Sequence, residues 1–322
     1  MRKIFVILIL TLLFIILNAR NYELNLMPMP AQVDLKQGMF RLTHSFQVAV
    51  TGNPHERIYN AATRMLRRLD GRTGLFFTQD FLDEDDNNQD ASLIIHCERP
   101  GKVVFKEDES YILTITTQQI ILNAPNDIGA IRGIETLLQL LSVDEEGYYF
   151  PALEIRDKPR FAWRGLLLDV CRHFMPMEVI KRNIDGLAVA KMNVLHLHLT
   201  EDQGFRIESK KFPKLHLMGS DGLYFTQVQI KEIIKYADDR GIRVVPELDM
   251  PGHATSWFVG YPELASAPGP YSIERFWGVM DPTINPTKEE SYAFIDTLLA
   301  EMCRLFPDDY FHIGGDENNG KQ

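Results

Sequence analysis

The feature that most constrains this chain is the strict alternation of strand-like and helix-like segments after Asp157. Residues 163–170, 193–199 and 242–248 are short runs rich in leucine, valine and isoleucine, and each reads as a strand. Residues 176–191, 227–240 and 288–305 carry apolar side chains at helical spacing, the first with Pro176 at its start. Residues 310–313, an aromatic and β-branched run, are expected to be a fourth, buried strand. Such alternation implies parallel strands with crossover helices, either an open doubly wound sheet or a (β/α)8 barrel. No Gly-X-Gly-X-X-Gly follows the first strand, which removes the dinucleotide-binding argument.

Polar residues decide between the two. They gather where each strand ends: residues 169–173, then Glu201 and Asp202, then Glu247, Asp249 and His253, and finally Asp316 and Glu317. Chemistry collected at the carboxyl ends of successive parallel strands is the signature of a TIM barrel. The expected fold is therefore α/β, with residues 158–322 supplying the first four β/α steps of a (β/α)8 barrel. A closed barrel needs eight strands, so the fourth is expected to present an open hydrophobic edge. On this reading the chain is a truncated form with little or no turnover by itself.

Residues 21–157 have a different rhythm. Strands are expected at 45–50, 92–96, 111–115 and 119–123, and helices at 56–69 and 128–141. Strands without strict helix alternation suggest a small α+β accessory domain. Ahead of it, Arg2 and Lys3 precede an apolar run from 4 to 17, interrupted only by Thr11. That run suits a secretory signal and is shorter than the ~20 residues of a spanning helix. Residues 1–20 are thus expected to be a signal peptide, and the protein to be exported, with no membrane span once it is removed.

Composition limits the partners. The 322 residues carry a formal net charge of -10, so nucleic acid phosphates would be repelled. Three cysteines make neither a disulfide framework nor a zinc pattern. No Asn-X-Ser/Thr sequon with X other than Pro occurs. The acidic run at 83–90 lacks the glycine and closing glutamate of a calcium loop and reads as a solvated face.

The chemistry centres on His312-Ile313-Gly314-Gly315-Asp316-Glu317. Adjacent carboxylates leave one strand end together, so they cannot flank a glycosidic bond at the roughly 5 to 9 Å of the usual glycosidase pair. One acid and one helper fit better, with the nucleophile coming from elsewhere, the substrate included. This stretch resembles the signature of glycoside hydrolase family 20, the β-N-acetylhexosaminidases. So do Trp163-Arg164-Gly165-Leu166-Leu167-Leu168-Asp169, His196-Leu197-His198-Leu199-Thr200-Glu201-Asp202-Gln203-Gly204 and Val245-Pro246-Glu247-Leu248-Asp249-Met250-Pro251-Gly252-His253. The segment before them is similar to that family's accessory domain.

The resemblance implies substrate-assisted retaining hydrolysis of terminal β-linked N-acetylhexosamine, with no cofactor or metal. It assigns Glu317 as general acid/base and Asp316 as the residue that orients the 2-acetamido group. Arg164 would bind sugar hydroxyls, Asp202 and His253 would form a pair beside the acid, and His312 would support the site. Phe205 stands where many relatives carry tryptophan, and the loop at 219–222 is short. Two other readings stand beside this one. His196 and His198 share a strand face and with Asp316 could hold a metal in a barrel hydrolase; or the chain is an inactive fragment that binds sugar.

Overall fold

The structure is a computed structural model that describes residues 24–77 and 89–318. The expected signal segment and most of the acidic run lie outside the described residues. No helix among the described residues is long and apolar enough to cross a membrane.

The first domain is one seven-stranded mixed sheet with two helices. Its elements are β1 (Gln32–Arg41), β2 (Val48–Gly52), α1 (Arg57–Thr73), β3 (Leu93–Arg99), β4 (Tyr111–Ile115), β5 (Ile120–Asn126), α2 (Asp127–Leu140), β6 (Ser142–Asp144) and β7 (Gly147–Asp157). The strand order is β1-β7-β4-β5-β3-β2, with β6 paired to β7. The strands β2, β3 and β5 run parallel, and the other pairs are antiparallel. Three strands, β1, β6 and β7, go beyond the sequence reading. Most of β1 faces solvent and β7 is almost continuously buried around Pro151, so neither of these two shows a clean alternation, and β6 has only three residues.

Helix α2 is fixed at its start by the Asn126 side chain, which accepts from the Ile128 and Gly129 N–H groups. Gly133 lets it lie directly on β5, because a Cβ there would come within 2.3 Å of Leu122 Cδ1.

The second domain contains β8 (Gly165–Asp169), α3 (Met177–Val189), β9 (Val194–His198), the two-residue strands β10 (Thr200–Glu201) and β11 (Gly204–Phe205), α4 (Lys214–Met218), α5 (Gln227–Asp238), β12 (Arg243–Glu247), α6 (Thr255–Gly260) and α7 (Glu289–Leu305). A capping box between Thr226 and Gln229 starts α5. Strands β8, β9 and β12 are parallel neighbours in chain order. A doubly wound sheet reverses its order partway, whereas a barrel adds each strand beside the last. These are the first steps of a (β/α)8 barrel.

The fourth strand differs from expectation. Its pairing narrows to a single parallel bridge between His312 and Glu247, carried by His312 N–H to Pro246 O at 3.0 Å and Leu248 N–H to His312 O at 3.1 Å. Instead of being buried, Tyr310 and Ile313 are exposed. The cause is one-sided support: β12 lies along one edge, and no further strand lies on the other among the described residues. The matching edge at β8 is also open, with Leu166 and Leu167 exposed.

The two domains are joined by buried charge. Arg132 pairs with Glu109 at 2.7 Å and donates to the Arg240 and Gly241 carbonyls, at the loop between α5 and β12. Glu109 in turn accepts from Arg164 at 2.6 Å and from Asn193 at 2.8 Å. Below the barrel sheet, Arg243 forms a two-bond pair with Asp308 and lies among Phe105, Trp163 and Tyr310.

Candidate active site

Because β8, β9 and β12 run parallel, their carboxyl ends deliver Asp169, Glu201 and Asp249 to one face, and the segment after His312 brings Asp316 and Glu317 there. Gly314 makes the close approach work. At φ +70 a Cβ would sit 1.6 Å from Asp249 Oδ1, so only glycine fits. The next N–H, of Gly315, donates to that same oxygen at 3.1 Å.

Three of the expected residues meet at His253. Its Nε2 lies 3.2 Å from Glu317 Oε2 and 3.8 Å from Asp316 Oδ2. Its Nδ1 lies 3.4 Å from Asp202 Oδ2 and 3.1 Å from Glu201 Oε2. His253 and Glu317 both hold left-handed backbone, at φ +52 and +54. Such conformations cost roughly 1–3 kcal/mol each and persist where surrounding contacts enforce them. Asp202 also accepts from the Thr255 N–H and hydroxyl, which fixes the start of α6.

Behind this pair runs a chain of alternating acids and imidazoles. His198 Nε2 lies 3.1 Å from Glu201, and its Nδ1 lies 2.9 Å from Glu247. Glu247 also meets His196 at 2.6 Å and His312 at 3.0 Å. Asp202 and Glu201 raise His253 to about 11. Burial opposes the charge of His198, but Glu201 and Glu247 raise it to about 10. Burial likewise opposes ionisation of Glu201, yet His198, His253 and Arg172 hold it down to about 2. The imidazoles of His196 and His198 hold Glu247 below the ordinary carboxylate range in spite of its burial. These groups are therefore charged around neutral pH, two cations against two anions.

Asp249 goes the other way. Burial first, and then the neighbouring Asp316, push it upward against the Gly315 N–H. Its value of about 7 puts Asp249 in both its protonated and ionised forms near neutral pH. Both acids of the pair are open to solvent, with side chains of Asp316 61% and Glu317 54% exposed.

Two sequence assignments change. Arg164 is not at this face. It precedes β8, at the amino end of the strand, where Glu109 binds its Nη2 and the Lys191 and Phe161 carbonyls accept its other N–H groups. The arginine at the carboxyl end is Arg172, which bridges Asp169 at 2.8 Å and Glu201 at 2.7 Å. Its place in the polar cluster at 169–173 was the available signal. The same holds for Glu201 and Asp249, which belong to strand-end clusters but carry no role in the motif reading. The proposed metal set of His196, His198 and Asp316 is also divided: the histidines face Glu247, and Asp316 faces Asp249 and His253. Cys171 is buried with its thiol 3.2 Å from the His198 carbonyl, and burial pushes its pKa up, so it is no nucleophile.

Residues 161–322 match the family model described as "Glycosyl hydrolase family 20, catalytic domain", and residues 23–158 match "Glycosyl hydrolase family 20, domain 2". A β-hexosaminidase of Porphyromonas gingivalis is 35% identical over 91% of this chain and 39% of its own length. The X-ray structure of a Flavobacterium johnsoniae chitobiase is 52% identical with a TM-score of 0.90, over 93% of this chain and 46% of that one. A mutant Streptomyces plicatus β-hexosaminidase solved in complex with its product GlcNAc is 31% identical with a TM-score of 0.80, over 92% of this chain and 60% of that one. The chain thus spans from 39% to 60% of these relatives. On the match of both its domains, the chain belongs to glycosyl hydrolase family 20.

Proposed function

We propose that the protein is an exo-acting β-N-acetylhexosaminidase, working by substrate-assisted retaining hydrolysis on terminal β-linked N-acetylhexosamine of an oligosaccharide or glycoconjugate. The observation that carries this reading is the split environment of two adjacent carboxylates. Glu317 lies 3.2 Å from His253 Nε2, and Asp316 lies against Asp249, whose carboxyl is pushed upward. Asp316 accepts the acetamido N–H, which aims the acetamido oxygen at the anomeric carbon. As the C1–O bond breaks, Glu317 gives its proton to the leaving oxygen and a C1–O bond to the acetamido oxygen forms. Water then attacks C1 from the vacated face, Glu317 takes back a proton, and the acetamido group is released with retention. Arg172, beside the site with its side chain 43% exposed, binds sugar hydroxyls on this reading.

The test uses a barrel completed with the corresponding second half of the Flavobacterium relative, beside the 322-residue chain. In the completed barrel Glu317→Gln is expected to lose most activity on aryl N-acetyl-β-glucosaminides with poor leaving groups and far less on those with good ones. Equal loss on both would remove Glu317 from the role of acid. The 322-residue chain alone, with its open edge beside His312, is expected to show little turnover. Export is part of the same proposal, supported by Arg2, Lys3 and the apolar run that follows. N-terminal sequencing of protein recovered outside the cytoplasm would show the run removed, and a retained Met1 would refute it.

A further inference from the structure

The segment between α6 and α7 places two large aromatic side chains in solvent. Trp277 is 89% exposed and Phe276 75%, whereas Trp257 on α6 is completely buried. Single exposed apolar residues need no explanation, but an adjacent pair of exposed aromatics on an anchored loop calls for one.

The loop is anchored at each step approaching the pair. The Glu274 N–H donates to the Asp202 carbonyl at 3.2 Å. Arg275 forms a two-bond pair with Asp221. The Phe276 carbonyl accepts from Gln203 Nε2 at 2.7 Å. Gly278, at φ +144, then turns the chain away. The backbone is held, and the rings are left to water. These anchors also locate the pair. Asp202 faces His253, and His253 meets Glu317, so the loop that bears the aromatic pair stands at the same barrel face as the acid.

We propose that Phe276 and Trp277 form a stacking platform for the sugar on the leaving-group side of the scissile bond, a β-linked pyranose of an oligosaccharide. This rests on the hexosaminidase reading and deepens it. A β-linked pyranose of the gluco series carries its substituents equatorially, so its ring faces present C–H groups that match an indole face. It is also neutral, so the chain's net charge of -10 does not oppose it. Asp316 and Glu317 would hold the terminal ring, so a platform beside Asp202 and Gln203 on the same face fits the ring beyond the bond to be cut.

The test is ligand binding to the 322-residue chain, followed by calorimetry and tryptophan emission. The ligands are N-acetylglucosamine, its β-1,4-linked trimer and the matching glucose trimer. Trp277→Ala should lower affinity for the N-acetylated trimer at least about tenfold and abolish its effect on emission. Affinity for the monosaccharide should stay unchanged, and Trp277→Phe should retain most of the trimer affinity. Unchanged trimer affinity in the Phe276→Ala, Trp277→Ala double variant would overturn the platform; a monosaccharide site still weakened by Asp316→Asn would leave the enzymatic reading standing. Equal binding of the two trimers, both lost on Trp277→Ala, would sustain the platform and overturn the N-acetyl reading. No binding of the trimer by the parent chain would overturn the platform.

Discussion

Glu201→Gln is the most informative single change, because one buried carboxylate faces His198, His253 and Arg172 together. Glu201 is 1% exposed, and its pKa falls from 4.5 to about 2 on folding. That depression corresponds to roughly 3 kcal/mol of stability at neutral pH. The usual cost of breaking a buried pair, about 3–5 kcal/mol, covers the same value. The contribution is complete above pH 4.5 and is lost as pH falls towards about 2. The imidazoles act in the opposite sense. His198 and His253 rise from 6.5 to about 10 and about 11, so their contribution is complete below pH 6.5 and fades as pH climbs through those values. Urea denaturation of the 322-residue chain should show the variant destabilised by roughly 3 kcal/mol at pH 7, with the gap closing below pH 3. NMR titration should show the His253 imidazole losing its proton at lower pH. A change under about 1 kcal/mol with an unmoved His253 titration would refute the charge chain.

Other sites give independent tests. Asp308→Asn leaves Arg243 buried without its anion and should cost about 3–5 kcal/mol in urea denaturation, while Asp309→Asn, at an exposed neighbour, should cost under about 0.5. Gly314→Ala forces a Cβ into Asp249, so it should weaken N-acetylglucosamine binding at least about tenfold, measured by calorimetry. Arg172→Met and Arg164→Met should separate the two arginines. The first should lose sugar affinity with modest change in stability. The second should lose stability by about 3 kcal/mol, through the buried Glu109 it leaves behind, and keep its affinity for sugar.

How much of this was legible before the structure follows from what kind of signal each feature leaves. Helices such as α5 and α7 bury one apolar stripe, and their spacing gives them away to within a few residues. The barrel strands are short apolar runs closed by polar clusters, so both the strands and the face bearing Asp316 and Glu317 could be read directly. Strand β1 could not, because a mostly exposed edge strand has no buried face to impose alternation. The misplacement of Arg164 has another origin. Both arginines flank the same strand, and only Arg172 lies in the polar cluster at its carboxyl end, a signal present in the sequence that the motif resemblance passed over. The partnership of Glu201 with His253 depends on β9 and β12 lying side by side, a long-range fact absent from either segment alone. The exposure of Tyr310 and Ile313 follows from the open edge that the strand count implied, which the apolar composition of 310–313 does not carry by itself.

The central claim is that the substrate's own acetamido oxygen attacks the anomeric carbon while Asp316 and Glu317 serve it. It is tested most directly by hydrolysis in the completed barrel of aryl 2-acetamido glucosides whose acetyl group bears zero, one, two or three fluorines. Fluorine withdraws electrons from that oxygen and weakens it as a nucleophile without altering the leaving group. kcat/KM is expected to fall steeply and monotonically along the series, with the matched 2-hydroxy glucoside inert. A flat series, or a 2-hydroxy glucoside cleaved at the same rate, would contradict it.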